Sequence, residues 1–375
     1  MDLPFRREFD PHTFDFDELP SGHGVFLLET GGEPYLNKSA HLRRRVARLL
    51  QAQVEGKRLN LRATTRTVCW QAAGSVFEAN VLLWRLARRR FPDTYRQRLR
   101  LRPPVLLKLN LENAYPRCYP TRRLTKQGVY FGPFPSRATA ERFASDFLDL
   151  FLIRRCVEEI RPDPAHPGCV YGEMSMCLRP CQAVVTQEAY LQEVSQVREF
   201  LGSEGRSLLR RLEEDRARAS EALDYEQAGH VHKRLEKVQA VLSQPELAWK
   251  AGLATDLERL NGIVVQPSAA SQAVEMFPVW RGFLLRAVSL SLAPDAETGQ
   301  PVSLDARLRE ALASLALKPS GRRTEHLALL ARWFYRGTRK GEFVGFESYE
   351  KLPYRRLVNT IGRISRGAAQ PGEPA

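Results

Sequence analysis

The chain has 375 residues, which is long enough for two or three domains with more than one hydrophobic core. Hydrophobic residues make up 43% and charged residues 27%, a balance that excludes a wholly disordered chain. There is no run of about 18 apolar residues and no apolar core of a secretory signal, so we expect no membrane contact and a cytoplasmic location. The 57 Lys and Arg residues exceed the 43 Asp and Glu residues by 14, which favours a polyanionic partner, most commonly nucleic acid.

The first 95 residues predict a small α/β domain behind a loose leader of 18 residues. Gly31 and Gly32 lie between two apolar runs, a pattern typical of a β-hairpin turn. Ser75 precedes an apolar periodic segment and predicts the N-cap of a helix. The predicted elements are a hairpin over 22–37, a helix over 39–54, a strand over 60–70 and a helix over 75–90.

A strongly basic stretch follows the second helix. It contains one acid, Asp93, and eight arginines: Arg85, Arg88, Arg89, Arg90, Arg96, Arg98, Arg100 and Arg102. Arginine forks bind phosphate, and Phe91 and Tyr95 offer rings for stacking on bases, so the stretch is a candidate nucleic-acid surface. The alternative is an ordinary solvated helix end.

Further along, the pattern predicts a strand, a Cys-rich segment, a long helical region and a second mixed region. Residues 187–243 contain no proline and predict an antiparallel helical hairpin with its turn near Leu223–Glu226, where Asp224 caps the second helix. The fold class is therefore α+β with several domains. The other predicted elements are strands over 105–111 and 260–293, helices over 137–152, 304–316 and 322–336, and a disordered end over the last nine residues.

Four of the six cysteines lie within 26 residues of one another: Cys156, Cys169, Cys177 and Cys181. In a cytosolic chain such a group favours metal binding over disulfides. Four thiolates complete either a tetrahedral zinc site or a [4Fe–4S] cluster, and spacing alone leaves the two alternatives even. Arg154, Arg155 and Arg179 lie close in sequence and would offset the negative charge of a cluster.

Five separated segments agree with one family. They are LPSGHGVFLLE with PYLNKSAHLRRRV, FEANVLL, YFGPFPS, the four cysteines, and LDYEQAGHVHKRLEKVQ. Over residues 18–245, and weakly over 250–340, the chain resembles the UvrC subunits of bacterial nucleotide excision repair. The resemblance implies a GIY-YIG nuclease-like domain over 18–100, the YFGPFPS and four-cysteine region over 101–190, a UVR helical hairpin over 191–245, a small α/β domain over 250–350 and a tail over 351–375.

The resemblance also implies ligands and partners. It favours a [4Fe–4S] cluster on the four cysteines, with Zn²⁺ as the alternative. It implies that the hairpin contacts a UvrB-like protein, with Tyr225 as the contact residue, and that double-stranded DNA is bound. The expected DNA contacts are Arg43, Arg88, Arg89, Arg90 and Arg96.

The N-terminal domain resembles GIY-YIG nucleases, which cut one DNA strand with a single divalent metal ion. By this resemblance Tyr35, Lys38 and Arg45 are catalytic, and Glu78 holds Mg²⁺ or Mn²⁺. Four positions depart from the pattern: Phe26 replaces a tyrosine, Asn37 a glycine, Leu49 a tyrosine and Arg96 an asparagine.

Two functions follow as alternatives. The first is a repair endonuclease that makes one metal-dependent incision after contact with UvrB. We also expect residues 250–375 to lack the second, RNase H-like nuclease and the helix-hairpin-helix pair, and therefore the 5′ incision. The second function is a non-catalytic DNA-binding adaptor built on a degenerate GIY-YIG domain.

Overall fold

The computed structural model describes residues 3–51, 60–244, 255–294, 303–313, 315–337 and 339–368. This part of the chain contains three antiparallel sheets together with many helices. The prediction of a multidomain α+β fold is confirmed. None of the helices in these ranges is both long and apolar enough to cross a membrane.

The first sheet has the strand order β1-β4-β2-β3. The Gly-Gly hairpin is confirmed between the strands Gly24–Thr30 and Tyr35–Ser39. The leader is not loose, because Phe5 pairs with Trp70 and Leu19 is fully buried. The leader is ordered because it pairs with a strand that is distant in sequence, and the local sequence pattern of the leader does not predict this pairing. The strands are β1 (Phe5–Glu8), β2 (Gly24–Thr30), β3 (Tyr35–Ser39) and β4 (Thr65–Ala72).

Helices cover both faces of this sheet. On one face Leu42, Val46 and Leu50 bury the apolar side of the first helix. On the other face Ala79 and Leu82 of the third helix pack against the strands. The predicted strand from residue 60 begins only at Thr65, because Asn60 caps a short helix. The helices are α1 (Leu42–Gln51), α2 (Leu61–Thr64), α3 (Val76–Arg90) and α4 (Tyr95–Leu99).

The middle domain is built on a second sheet of order β6-β5-β7-β8. An aromatic core that includes Phe143, Phe147 and Phe200 joins its helices to the sheet. Its elements are β5 (Val105–Leu109), β6 (Cys118–Thr121), β7 (Val129–Phe134), α5 (Arg137–Leu148), α6 (Val170–Glu173) and α7 (Gln187–Gly202). The fourth strand, β8 (Thr255–Asp256), comes from the segment after the hairpin.

The helical hairpin is α8 (Arg206–Glu221) and α9 (Tyr225–Leu242). Its turn lies where it was predicted, with Leu223 at φ 59° and the Asp224 carboxylate accepting the Gln227 N–H at 3.0 Å. The hairpin starts later than predicted, since Gly205 at φ 81° ends the preceding segment and α7 belongs to the middle-domain core. The predicted closing residue, Pro245, lies outside the described residues.

The C-terminal domain is a five-stranded sheet with helices on both faces. Its elements are β9 (Gly262–Pro267), β10 (Ala273–Trp280), β11 (Phe283–Leu284), β12 (Val288–Ser291), α10 (Leu304–Ala313), α11 (Arg323–Phe334), β13 (Glu342–Gly345) and α12 (Tyr354–Ala368). The prediction of a tail over 351–375 is wrong for α12, whose Leu357 and Ile361 are fully buried against the sheet.

The N-terminal and C-terminal domains share one core. The ring of Phe77 in α3 lies 5.0 Å from Phe277 and 5.3 Å from Trp333. At Gly74 an added Cβ would lie only 2.2 Å from the Pro267 carbonyl oxygen, so the two backbones approach more closely than any other residue type allows. The junction of the two domains is therefore a tightly packed surface.

Candidate functional site

Strand β3 places Tyr35 and Lys38 on opposite faces of the first sheet. The register pairs Leu28 with Tyr35 and Val25 with Lys38, and residues three apart on a regular strand point in opposite directions. Tyr35 lies 6.0 Å from Phe26, ring to ring, and its hydroxyl accepts a hydrogen bond from Asn37 Nδ2 at 3.0 Å. Lys38 instead lines a cavity on the other side.

The predicted catalytic residue Arg45 and the predicted metal ligand Glu78 also lie on opposite faces of this sheet. Arg45 lies half-buried on α1, which packs on the face that carries Tyr35. Glu78 lies on α3, which packs on the face that carries Lys38. Within the described ranges no hydrogen bond or ion pair joins Glu78 to Lys38 or Arg45. The structure therefore does not bring the four residues together.

Glu78 instead closes the first turn of its own helix. Its backbone N–H donates to Ser75 Oγ at 3.1 Å, and its Oε2 accepts from the Gly74 N–H at 2.8 Å. This reciprocal arrangement closely resembles a capping box. Burial raises the pKa of the Glu78 carboxyl to about 7; the Gly74 N–H opposes the shift, and the nearby Glu275 carboxylate adds to it.

Glu78 is the carboxylate that would hold a magnesium or manganese ion in this domain. Both ions take several oxygen ligands in a regular arrangement, and magnesium usually keeps several waters beside one or two carboxylates. No three His, Cys, Asp or Glu side chains in the described part of the chain surround a point that a metal ion could occupy. Glu78 offers one carboxylate, and one of its oxygens is bonded to a backbone amide.

The arginines predicted to contact DNA make different contacts in the structure. Arg43 donates to the Leu19 carbonyl and to Asp17 at 2.8–3.0 Å, so it fastens the leader. Arg96 pairs with Glu325, with Nε 3.1 Å from Oε1. Arg88 lies 5.0 Å over the ring of Trp84. These three arginines therefore make contacts within the molecule, although Arg96 remains exposed. Arg89 and Arg90 are exposed at the end of α3, with Arg90 3.6 Å from Glu29.

A different set of cations meets in a cavity of about 830 Å³ between the three domains. Burial lowers the pKa of the Lys38 ammonium there, and the charges of Arg332 and Arg336 lower it further. Sequence reasoning missed the contribution of the C-terminal domain, although Arg332, Arg336, Arg339 and Lys340 fall within nine residues. The cationic lining residues are Lys38, Arg100, Arg102, Arg122, Arg332 and Arg336. We call this cavity the basic cleft.

The four cysteines of the Cys-rich segment come within electrostatic range of one another. Burial raises the pKa of the Cys177 thiol to about 11, and Cys156, Cys169 and Cys181 raise it further, while the Arg179 N–H opposes the shift. The Arg179 N–H donates to Cys177, and the Gln182 N–H donates to Cys181. Backbone N–H groups directed at sulfur favour thiolate over thiol.

Arg154 lies buried beside these thiols, with 2% of its surface exposed. Its Nε donates to the Tyr115 carbonyl at 2.8 Å, its Nη1 donates to the Glu158 carbonyl at 2.6 Å, and Nη1 lies 3.6 Å from Cys156 Sγ. In the described residues it has no carboxylate partner. Since a buried charge needs a counter-charge, the donor set fits a group of thiolates that carries negative charge.

Comparison with known proteins agrees with this architecture. The profile of the UvrC/Cho excinuclease middle domain matches residues 105–200, which cover three strands of the second sheet, the four cysteines and most of α7. The chain is 28% identical over 280 residues to the UvrABC system protein C of Oleidesulfovibrio alaskensis, covering 72% of the chain and 39% of that relative. It is 23% identical over 373 residues to the same protein of Acetivibrio thermocellus, covering 95% of the chain and 57% of the relative.

The class is thus a multidomain protein with a UvrC-type middle domain. The chain is similar to UvrC proteins over much of its length, which confirms the resemblance that its sequence predicted. It spans less than two thirds of the length of these relatives. No solved structure matches it.

Proposed function

We propose that the chain is a DNA-binding component of UvrC-type nucleotide excision repair that docks on a UvrB-like protein. The observation that carries this proposal is the basic cleft, in which six cations from three domains line one cavity without an acidic side chain among the lining residues. The names of the relatives, UvrABC system protein C, supply the repair context. The division of the GIY-YIG residues between two faces favours binding over catalysis.

Metal-dependent incision by the N-terminal domain is the second candidate. It is favoured by the retention of Tyr35, Lys38, Arg45 and Glu78 in one domain. The arrangement described above would have to change for these groups to act on one phosphate.

Nicking of a labelled, lesion-bearing duplex separates the two candidates. The natural chain is compared with Glu78→Gln and Glu78→Ala, with magnesium or manganese, and with and without a UvrB-like protein. We expect binding without a nick in all three. A nick made by the natural chain and lost in both variants would establish the endonuclease and reject the adaptor.

The tip of the helical hairpin supports the UvrB-like partner. Leu223 is 68% exposed and Tyr225 is 71% exposed, two residues apart at the turn between α8 and α9. Exposed apolar side chains that stand together mark contact surfaces more often than isolated ones do. The tip is therefore the proposed docking point.

We further propose that the Cys-rich segment holds a [4Fe–4S] cluster. A single zinc ion draws four thiolates to roughly 3.8 Å from one another, given a Zn–S bond of about 2.3 Å. The four thiols of this chain lie within electrostatic range of one another. A four-iron cluster binds each thiolate through its own iron, as the resemblance to UvrC proteins implies, and Zn²⁺ is the alternative.

A further inference from the structure

The basic cleft joins surfaces that are far apart in sequence. The N-terminal domain contributes Lys38, Asn80 and Arg100, the middle domain contributes residues 101–105 with Arg122, and α11 with the residues after it contributes Arg332 and Arg336. Pro103, Pro104, Pro135, Phe134 and Tyr335 complete its walls. Cations therefore surround an opening whose remaining lining is largely apolar.

The cations of the cleft have no acidic partner among the described residues. In the part of the chain that the structure describes, Lys38, Arg100, Arg102, Arg332 and Arg336 have no ion pair. The side chain of Arg122 donates to a backbone carbonyl, that of Pro103. Like charges held together in this way repel one another, and a bound polyanion would relieve the repulsion.

A smaller cavity of about 140 Å³ continues from the cleft, with Asn80, Arg332 and Arg336 lining both. It adds His23, Arg339 and Lys340, and Gln266 also lines it. Gln266 is fully buried, yet among the described residues neither its Nε2 nor its Oε1 has a hydrogen-bond partner. Buried amides are nearly always hydrogen-bonded, so this amide can take a polar partner, either water or a ligand group.

We infer that the basic cleft binds the sugar–phosphate backbone of a single nucleic-acid strand, with Gln266 in the side cavity available to a base or sugar. This inference rests on the proposed function and specifies that the bound nucleic acid is single-stranded. The cleft has the size of a pocket for a small ligand, which a strand can enter and a duplex cannot. Several cations along an opening suit successive phosphates, and apolar walls suit the bases of an unpaired strand.

Fluorescence anisotropy tests the assignment with two probes, a short labelled oligothymidylate and a labelled hairpin duplex. Two variants remove charge from opposite walls, Arg332→Ala with Arg336→Ala and Arg102→Ala with Arg122→Ala. The matched control is Arg210→Ala with Arg216→Ala, two exposed arginines on α8. Thermal denaturation of every variant verifies that it is folded.

We expect each cleft variant to bind the oligothymidylate about tenfold or more weakly and with a shallower dependence on salt, because each loses two phosphate contacts. The duplex affinity and the control should change by less than about twofold. Retention of strand affinity by both cleft variants would overturn the cleft assignment and leave DNA binding intact. Equal losses for strand and duplex would overturn the single-strand assignment. If the natural chain binds neither probe, the proposed function fails as well.

Discussion

The indole Nε1 of Trp84 donates a hydrogen bond of 3.0 Å to the buried carboxylate of Glu325. This bond links α3 of the N-terminal domain to α11 of the C-terminal domain. The other carboxylate oxygen accepts from the Tyr95 hydroxyl at 2.8 Å and from Arg96 Nε at 3.1 Å. A buried carboxylate with three donors is well satisfied, so it fixes the relative position of the two helices that the basic cleft depends on.

Glu325→Gln should destabilise the protein by about 1–3 kcal/mol, because the amide turns one acceptor into a donor that faces other donors. The thermal midpoint by circular dichroism measures the change. Glu350→Gln is the control, since Glu350 is exposed. Equal midpoints for the two variants would show that the network does not stabilise the junction.

His326 should make the protein sensitive to acid. Its Nδ1 accepts from the Leu284 N–H at 2.7 Å, Nε2 lies 2.8 Å from the Ser320 carbonyl, and burial lowers its pKa from 6.5 to about 4. The unfolded chain therefore binds a proton between pH 6.5 and 4 that the folded chain does not. Protonation of the unfolded chain therefore lowers the free energy of unfolding by up to about 3 kcal/mol as the pH drops from 6.5 to 4, and His326 causes no such loss above pH 6.5. Thermal midpoints across this window should drop less steeply for His326→Gln than for the natural chain.

Glu78 should have the opposite dependence. Its pKa is raised from 4.5 to about 7, so between these values the folded chain keeps a proton that the unfolded chain has released. The free energy of unfolding therefore falls by up to about 3 kcal/mol as the pH rises from 4.5 to 7, and Glu78 causes no such loss below pH 4.5. Glu78→Gln, which keeps an acceptor for the Gly74 N–H, should therefore be more stable than the natural chain at pH 8. A lower midpoint there would contradict a mainly structural role for this carboxyl.

Arg154 should be required for the proposed cluster. Anaerobically purified natural chain should contain about four iron atoms and absorb visible light, and Cys177→Ser should contain less iron. Arg154→Gln should also lower the iron content, because the buried guanidinium next to Cys156 balances thiolate charge. Arg155→Gln is the control, since Arg155 has its own carboxylate partner in Asp149 at 2.6 Å. Stoichiometric zinc without iron would reject the cluster.

Tyr225→Ala should weaken retention on an immobilised UvrB-like protein by about tenfold or more, as truncation of an aromatic contact residue often does. The side chain is 71% exposed at the hairpin tip, so helical content should not change. Lys233→Ala on the exposed side of α9 is the control. If both variants are retained as well as the natural chain, the partner contacts another surface.

The sequence by itself determined the features that depend on neighbours along the chain. Ser75 starts α3, the two glycines turn the first hairpin and Asp224 caps α9, because each acts through hydrogen bonds or dihedral angles within a few residues. The order of the motifs also indicated the resemblance to UvrC proteins. Apolar residues recur at helical spacing from Tyr354 to Ile364, so the local sequence also contains the signal for α12, which the predicted tail does not take into account.

Only the tertiary structure decided what depends on distant pairing. The leader becomes β1 because β4 offers it an edge, and the register of β3 against β2 sends Tyr35 and Lys38 to opposite faces. The basic cleft exists because α11 packs against α3 and brings Arg332 within reach of Lys38. Composition fixed how many cations the chain carries, whereas burial of apolar surface between domains fixed which of them face one another.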